Sequence, residues 1–432
     1  MLKRIRIKGF KSLKDVEVEL KPLTVLFGPN ASGKSNFLDA LLLLSRLINK
    51  TSVYDLFDPP FRGKPLESFT FGPQGIEGLL NKKSTSLTIE ADFKLSDGII
   101  KDTLGYFKLN KTYSLEIGTL EETKANQFKK HPRLRYKISI GYKRDTGSIL
   151  IDDEFLCLLS ERYKPDKGEP PIIDVNYHGS ENVGSDAIAR SHTIVNTFAG
   201  IRPFHCGLSM ETERWHVLFF EPRIRMRTPT PLSGGRPFYY FGEGLGGLLH
   251  YLSNNEKRQF KAIEKGLNVL IPSITKIETF TNKEDGTVDF RLIENGRTMS
   301  SRIISDGTLR ILGFLTIGSI APPPTLIAFE EPENGIHPRR IRLMAEYFKN
   351  LTYNDIQVVV ATHSPTLIEQ FPEENLFVCK TEKGYTNIEP FSSFGPLGRK
   401  ISKKTKVEKA LRGKGEPLTI SGRILRGDFD DA

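Results

Sequence analysis

The sequence predicts an α/β fold: a mixed, mostly parallel sheet flanked by helices, an antiparallel β lobe at the N-terminus, and a globular insertion that is β-rich and then helical. Three observations predict it. Leu23 to Phe27 is a nearly all-apolar run, followed by a glycine-rich turn and an apolar stretch over 35–48. That is the pattern of a strand buried on both faces feeding a buried helix. From about residue 303 the chain again alternates helix with buried strand, with strands at 325–329 and 356–361 and a helix at 339–350 between them. Between about 84 and 180, segments such as Leu87 to Phe93 and Arg135 to Ile140 alternate at period two between turn residues, as antiparallel strands do.

The remaining elements follow in order. Residues 2–7 and 16–20 alternate apolar and charged around Gly9-Phe10-Lys11-Ser12 and predict a hairpin. Residues 245–270 read as helical, Val288 to Leu292 as a strand, and a short helix and a strand near 376–380 close the α/β part. There is no tandem repeat and no sustained heptad seam, so the insertion is expected to be globular. The predicted division is 1–83 and 301–390 for the two parts of one core, 84–300 for the inserted lobe, and 391–432 for a basic tail.

Composition narrows the class. With 432 residues, 38% hydrophobic and 26% charged, a sizeable core can be buried. The longest apolar stretch, Phe37 to Leu44, is broken by Asp39 and is too short for a bilayer, and the N-terminus lacks the apolar block of a signal peptide. Three widely spaced cysteines (Cys157, Cys206, Cys379) carry no metal-type pairing, which predicts a reducing cytoplasm. The net charge of +10 is concentrated between Arg399 and Arg426, which hold ten Lys or Arg against two Glu. Such a tail attracts phosphate backbones or an acidic partner, or is simply solvated. Arg223, Arg225 and Arg227 alternate along a possible strand, as either a phosphate-facing stripe or an exposed ion-paired strand.

Four motifs carry chemistry. Gly28-Pro29-Asn30-Ala31-Ser32-Gly33-Lys34-Ser35 fits G-x-x-x-x-G-K-[ST] between a strand and a helix. Its backbone amides would face β- and γ-phosphates, Lys34 would neutralise their charge, and Ser35 would ligate Mg²⁺. The buried strand Thr325 to Phe329 delivers Glu330 and Glu331 at its C-terminal end, where an open α/β sheet places its ligand. Glu330 would hold Mg²⁺ through water and Glu331 would act as general base on the attacking water; alone, the same acids would read as a solvated turn before Pro338. Ser305-Asp306-Gly307 opens an apolar helix, as a cap with room for close approach that can also grip a γ-phosphate. His363, after the next buried strand, could hydrogen-bond the γ-phosphate or the lytic water.

In this order, GPNASGKSN, SDGTLR, LIAFEEPENGIHP and ATHSP resemble the ABC-ATPase heads (P-loop NTPases) of the RecF, SMC and OLD (overcoming lysogenisation defect) branch, and most of all stand-alone OLD-type ATPases such as PtuA-like and AriA-like defence proteins. The resemblance covers about residues 1–50 and 300–380. It implies ATP and Mg²⁺ as cofactors, nucleotide contacts from Asn30, Ala31, Ser32, Gly33, Lys34, Ser35 and Asn36, and Lys11 lining the nucleotide. It also implies a homodimer in which Ser305 and Gly307 of one subunit face the γ-phosphate held by Lys34 of the other. The glutamine that links Mg²⁺ to the second lobe is assigned to Gln74. Two departures, Glu330 in place of aspartate and His337 in place of the dimer-loop aspartate, are similar to OLD-type proteins. OLD nucleases add a C-terminal nuclease domain, whereas only about fifty residues follow Cys379 here, basic in balance until Asp428, Asp430 and Asp431. The expectation is therefore a cytoplasmic, membrane-free ATPase switch with DNA contact and a separate effector such as a nuclease or toxin. A RecF-like repair ATPase is the alternative, and a transporter subunit is disfavoured by the long, β-rich stretch between Ser35 and Ser305.

Overall fold

The computed structural model describes residues 1–394 apart from 51, 60, 110–125, 167–168, 177–189, 233–237 and 239. The basic tail and the three terminal aspartates lie outside the described residues. A six-stranded sheet forms the centre, in the order Tyr385–Pro390, Leu376–Glu382, Leu23–Phe27, Gln357–Thr362, Leu326–Glu330, Trp215–Leu218. The inner pairings are parallel, and only Tyr385–Pro390 runs antiparallel to its neighbour. Alternate residues of these strands point into two different cores. Leu26, Ala328, Val359 and Ala361 face one, and Val25, Phe27, Ile327, Phe329, Val358 and Val360 face the other. Burial on both faces is why the strands read as unbroken apolar runs.

The first core lies between this sheet and a second, antiparallel six-stranded sheet built from Leu2–Phe10, Leu13–Glu19, Ser84–Lys94, Arg133–Lys143, Ser148–Leu158 and Ile173–Asn176. The helix Lys34–Asn49 is sandwiched between them, with Leu41 to Leu44 all buried, which accounts for its apolar character all round. The second core is covered by the helices Leu245–Asn255, Lys257–Leu270, Asp306–Ile317 and Pro338–Tyr353 and by the small sheet of Ile274–Asn282, Thr287–Glu294 and Arg297–Ser300. Phe348 of Pro338–Tyr353 stacks on Phe329 of the central sheet at 4.7 Å between ring centroids, and Phe314 closes on Phe329 edge-on at 5.0 Å.

The expected hairpin, buried strand, buried helix and closing α/β elements are all present. Residues 84–300, expected as one inserted lobe, instead serve every layer. Ser84–Lys94 pairs with Leu2–Phe10 of the N-terminal hairpin, and Trp215–Leu218 joins the central sheet beside Leu326–Phe329. The strand expected at Arg223 to Arg227 is a single 3₁₀ turn at Arg225–Arg227. Its cations go to different acids: Arg223 and Arg227 to Asp306, Arg225 to Glu221 and Glu243. The arginines are therefore ion-paired rather than a free phosphate-facing stripe. Among the described residues no helix is long and apolar enough to cross a membrane.

Candidate functional site

Register brings the motifs together. In the central sheet Phe27 pairs with Thr362 and Glu330 with Ala361, so Gly28, Glu331 and His363 leave the same edge side by side. Parallel strands present this carboxyl edge to ligands.

The loop after Leu23–Phe27 is shaped by two close approaches. A Cβ at Gly28 would sit 2.1 Å from the Cys379 carbonyl oxygen, and one at Gly33, whose φ is 95°, would sit 1.9 Å from Thr386 Oγ1. Only glycine fits either position. Asn30 and Ala31 form the exposed tip, Ala31 with a φ of 62°. Ser32 is fully buried and its hydroxyl has no partner among the described residues. Lys34 donates to the carbonyls of Gly28 and Pro29, both at 2.8 Å. Burial holds its ammonium below the usual lysine value, while Cys379, Glu331, Glu330 and Glu333 pull the other way. Ser35 is half-buried at the first turn of the helix. Asn36 donates its amide to Ser12 Oγ at 2.8 Å, tying the helix to the hairpin turn.

Glu331 is the most tightly specified acid. Its backbone is left-handed (φ 44°), and its N–H donates to the Ala361 carbonyl at 2.8 Å. One carboxylate oxygen meets His363 Nδ1 at 2.9 Å, and the other accepts the Asn334 amide at 2.7 Å. Strained backbone held by surrounding contacts is common where geometry serves chemistry. Glu330 lies 3.6 Å from an Arg62 guanidinium nitrogen.

That arginine belongs to a cluster the motifs do not reveal. Arg62 and Lys11 both bind Asp39, at 2.8 and 2.6 Å, and Lys11 also donates to the Arg62 carbonyl at 2.9 Å. Lys11 Nζ lies 4.9 Å from the Phe61 ring centroid. Burial lowers the Lys11 ammonium, opposed by Asp39. The one sequence signal was Asp39 itself, a carboxylate in an apolar helix, which must find a partner. Gln74 lies in the exposed stretch 71–74 that leads into the helix Gly75–Leu80.

Ser305 caps the helix Asp306–Ile317, accepting the Thr308 N–H at 3.2 Å, and is itself exposed. Gly307 is needed for close approach: a Cβ there would lie 2.1 Å from the Gly335 carbonyl oxygen. The helix start is thereby seated on the turn that carries Glu331.

The residues fit a nucleotide and its metal. The buried Ser32 hydroxyl lacks a partner, the Lys34 ammonium rests on loop carbonyls that phosphate oxygens can replace, and Ser35 and Glu330 are hard oxygen donors of the kind Mg²⁺ takes.

Glycine-rich loop, acidic strand end, helix cap and switch histidine around one sheet edge define an ABC-like ATPase, an ATP-hydrolysing enzyme. Comparisons with known proteins agree. Family models described as "AAA ATPase domain" and "AAA domain, putative AbiEii toxin, Type IV TA system" match residues 1–166 and 205–369. The Old nuclease of Escherichia phage P2 is 24% identical over 400 residues, covering 89% of this chain and 60% of its own length. The OLD nuclease of Thermus scotoductus is 46% identical over 44 residues, 10% of this chain and 8% of its own. The chain spans less than two thirds of the length of either curated nuclease it matches. Among solved structures, an SMC head bound to the C-winged helix domain of ScpA is 13% identical (TM-score 0.47; 90% of this chain, 96% of that one). The SMC head domain from Thermotoga maritima is 14% identical (TM-score 0.42; 90% and 98%).

Proposed function

We propose that this chain is an ATP-driven switch in which two copies close head to head around two Mg-ATP. The cycle controls a DNA-related process, antiphage defence acting through a separate effector such as a nuclease or toxin. The observation that carries the reading is the Glu331–His363 pair, 2.9 Å apart on the sheet edge that also bears Lys34. Glu331 accepts a proton from the water that attacks the γ-phosphorus, as general base. The His363 and Asn334 contacts fix both its oxygens, so the lone pair that takes the proton is aimed beforehand. With Nδ1–H donated to Glu331, neutral His363 keeps Nε2 as an acceptor, which suits the lytic water better than a phosphate oxygen. Lys34 leaves the loop carbonyls for the β- and γ-phosphates. Ser35 and Glu330, with Gln74 as a third candidate, would hold Mg²⁺, which would neutralise charge on those phosphates.

The dimer reading is supported by the surface around Ser305. Ile303 and Ile224 are 61% and 64% exposed there, an apolar surface suited to a partner's face. DNA and effector rest on the net charge of +10 and on the nuclease names of the matched relatives.

Glu331→Gln tests the reading. ATP binding should persist, turnover should fall by about 100-fold or more, and light scattering should find a dimer that accumulates with Mg-ATP. Unchanged turnover would put the base elsewhere and overturn it.

A further inference from the structure

Two positions beyond Glu331 lies a second carboxyl that the hydrolytic scheme does not use. Glu333 is only 7% exposed, and Thr362 opposite it is fully buried. Thr362 Oγ1 donates to Glu333 Oε1 and accepts the Ser364 N–H at 2.9 Å. Ser364 in turn caps the helix Pro365–Ile368 through its hydroxyl. The residues on both sides of His363 are thus anchored beneath it. On the acidic turn, Asn334 N–H donates to the Glu331 carbonyl at 3.1 Å and Ile336 N–H to that of Glu333 at 2.9 Å. Glu331 and His363 themselves are partly exposed, with side chains 32% and 44% accessible. Their facing geometry is set from below.

We propose that Glu333 is a positioning residue: through Thr362 it ties the acidic turn to the end of the strand Gln357–Thr362 and so holds Glu331 and His363 face to face. This rests on Glu331 being the base. A carboxyl is an expensive group to bury for stability alone, because it needs hydrogen bonds at both oxygens. Here Oε2 has none, and no ion pair engages Glu333 among the described residues. The titratable and charged groups around it are His363 at the strand end, Glu331 on its own turn, Lys34 on the glycine-rich loop and Arg310 on the helix Asp306–Ile317. Burial raises its pKa, which favours the neutral carboxyl. A neutral carboxyl still accepts from Thr362 and does not repel Glu331.

The test is steady-state ATPase kinetics with ATP affinity measured separately, on Glu333→Ala, Thr362→Val and their double variant, with Glu333→Gln, Thr362→Ser and Glu331→Gln alongside. Glu333→Ala and Thr362→Val should each lower kcat by about 10- to 100-fold with ATP affinity within about 3-fold, and the double variant should be no worse than the weaker single. Glu333→Gln and Thr362→Ser keep the hydrogen bond and should recover most of kcat. Should Glu333→Ala not fold, Thr362→Val, which loses one hydroxyl, carries the same comparison. Multiplying losses in the double variant, or loss of ATP affinity in step with kcat, would mean a merely structural role and overturn the proposal. So would unchanged kcat in Glu333→Ala and Thr362→Val beside an inactive Glu331→Gln. An active Glu331→Gln would instead remove the base reading on which the proposal stands.

Discussion

Asp39 is 1% exposed within a helix otherwise packed with leucine, and it is the sole carboxylate bound by both Lys11 and Arg62 among the described residues. Removing it strands a largely buried ammonium on Lys11. Asp39→Ala should therefore cost about 3 kcal/mol, as breaking a buried pair on one side does, and urea denaturation would register it as a lower midpoint. An unchanged midpoint would mean that Lys11 and Arg62 find other partners. Lys34, Ser35, Glu330, Glu331 and His363 were legible in the sequence because loop and strand ends carry them in fixed local spacing. Arg62, Asn334 and Glu333 were not. Arg62 reaches Asp39 and Glu330 only through the folded chain, and Glu333 reads as one more acid in a polar turn until Thr362 is seen above it.

Elements with their own period were read correctly, and those defined by distant partners were not. Trp215–Leu218 is four residues long and is a strand because Leu326–Phe329 lies beside it. The alternating arginines satisfy the strand pattern but not strand pairing, since Arg223 and Arg227 answer to Asp306 and Arg225 to Glu221 and Glu243. Trp215–Leu218 and the preceding helix Pro203–Glu213 carry two histidines, His216 and His205, whose pKa values burial drives down to about 4. The unfolded chain takes up protons at these sites below pH 6.5 and the folded chain only near 4, so unfolding binds protons in that window. Their stabilising contribution is full above pH 6.5 and is lost as pH falls toward 4, on the order of 3 kcal/mol each. Both ring nitrogens of His205 are buried without partners among the described residues. His205→Leu should flatten the stability slope between pH 6.5 and 4 by one histidine's share, as melting temperatures across that range would report. A slope identical to the parent would show that His205 protonates without cost.

At the scale of the whole molecule, the proposed dimer would pair the Lys34 loop of one copy with the Ser305 cap of the other. Lys34, Glu331 and His363 share a sheet edge, whereas Ser305 is exposed and contacts its own helix. The contact between Gly307 and Gly335 makes the helix start and the catalytic turn one unit, so that closing on a partner would be felt at Glu331. A twofold pairing satisfies both halves at once, because each subunit offers the same two surfaces. The most direct measurement is complementation between Lys34→Ala and Ser305→Arg, each inactive alone. In a mixed dimer one site would combine the intact Lys34 of one subunit with the intact Ser305 of the other. Mixing should restore ATP turnover that neither variant shows by itself. No recovery at any mixing ratio, with mixed dimers demonstrably formed, would contradict a site shared between two copies.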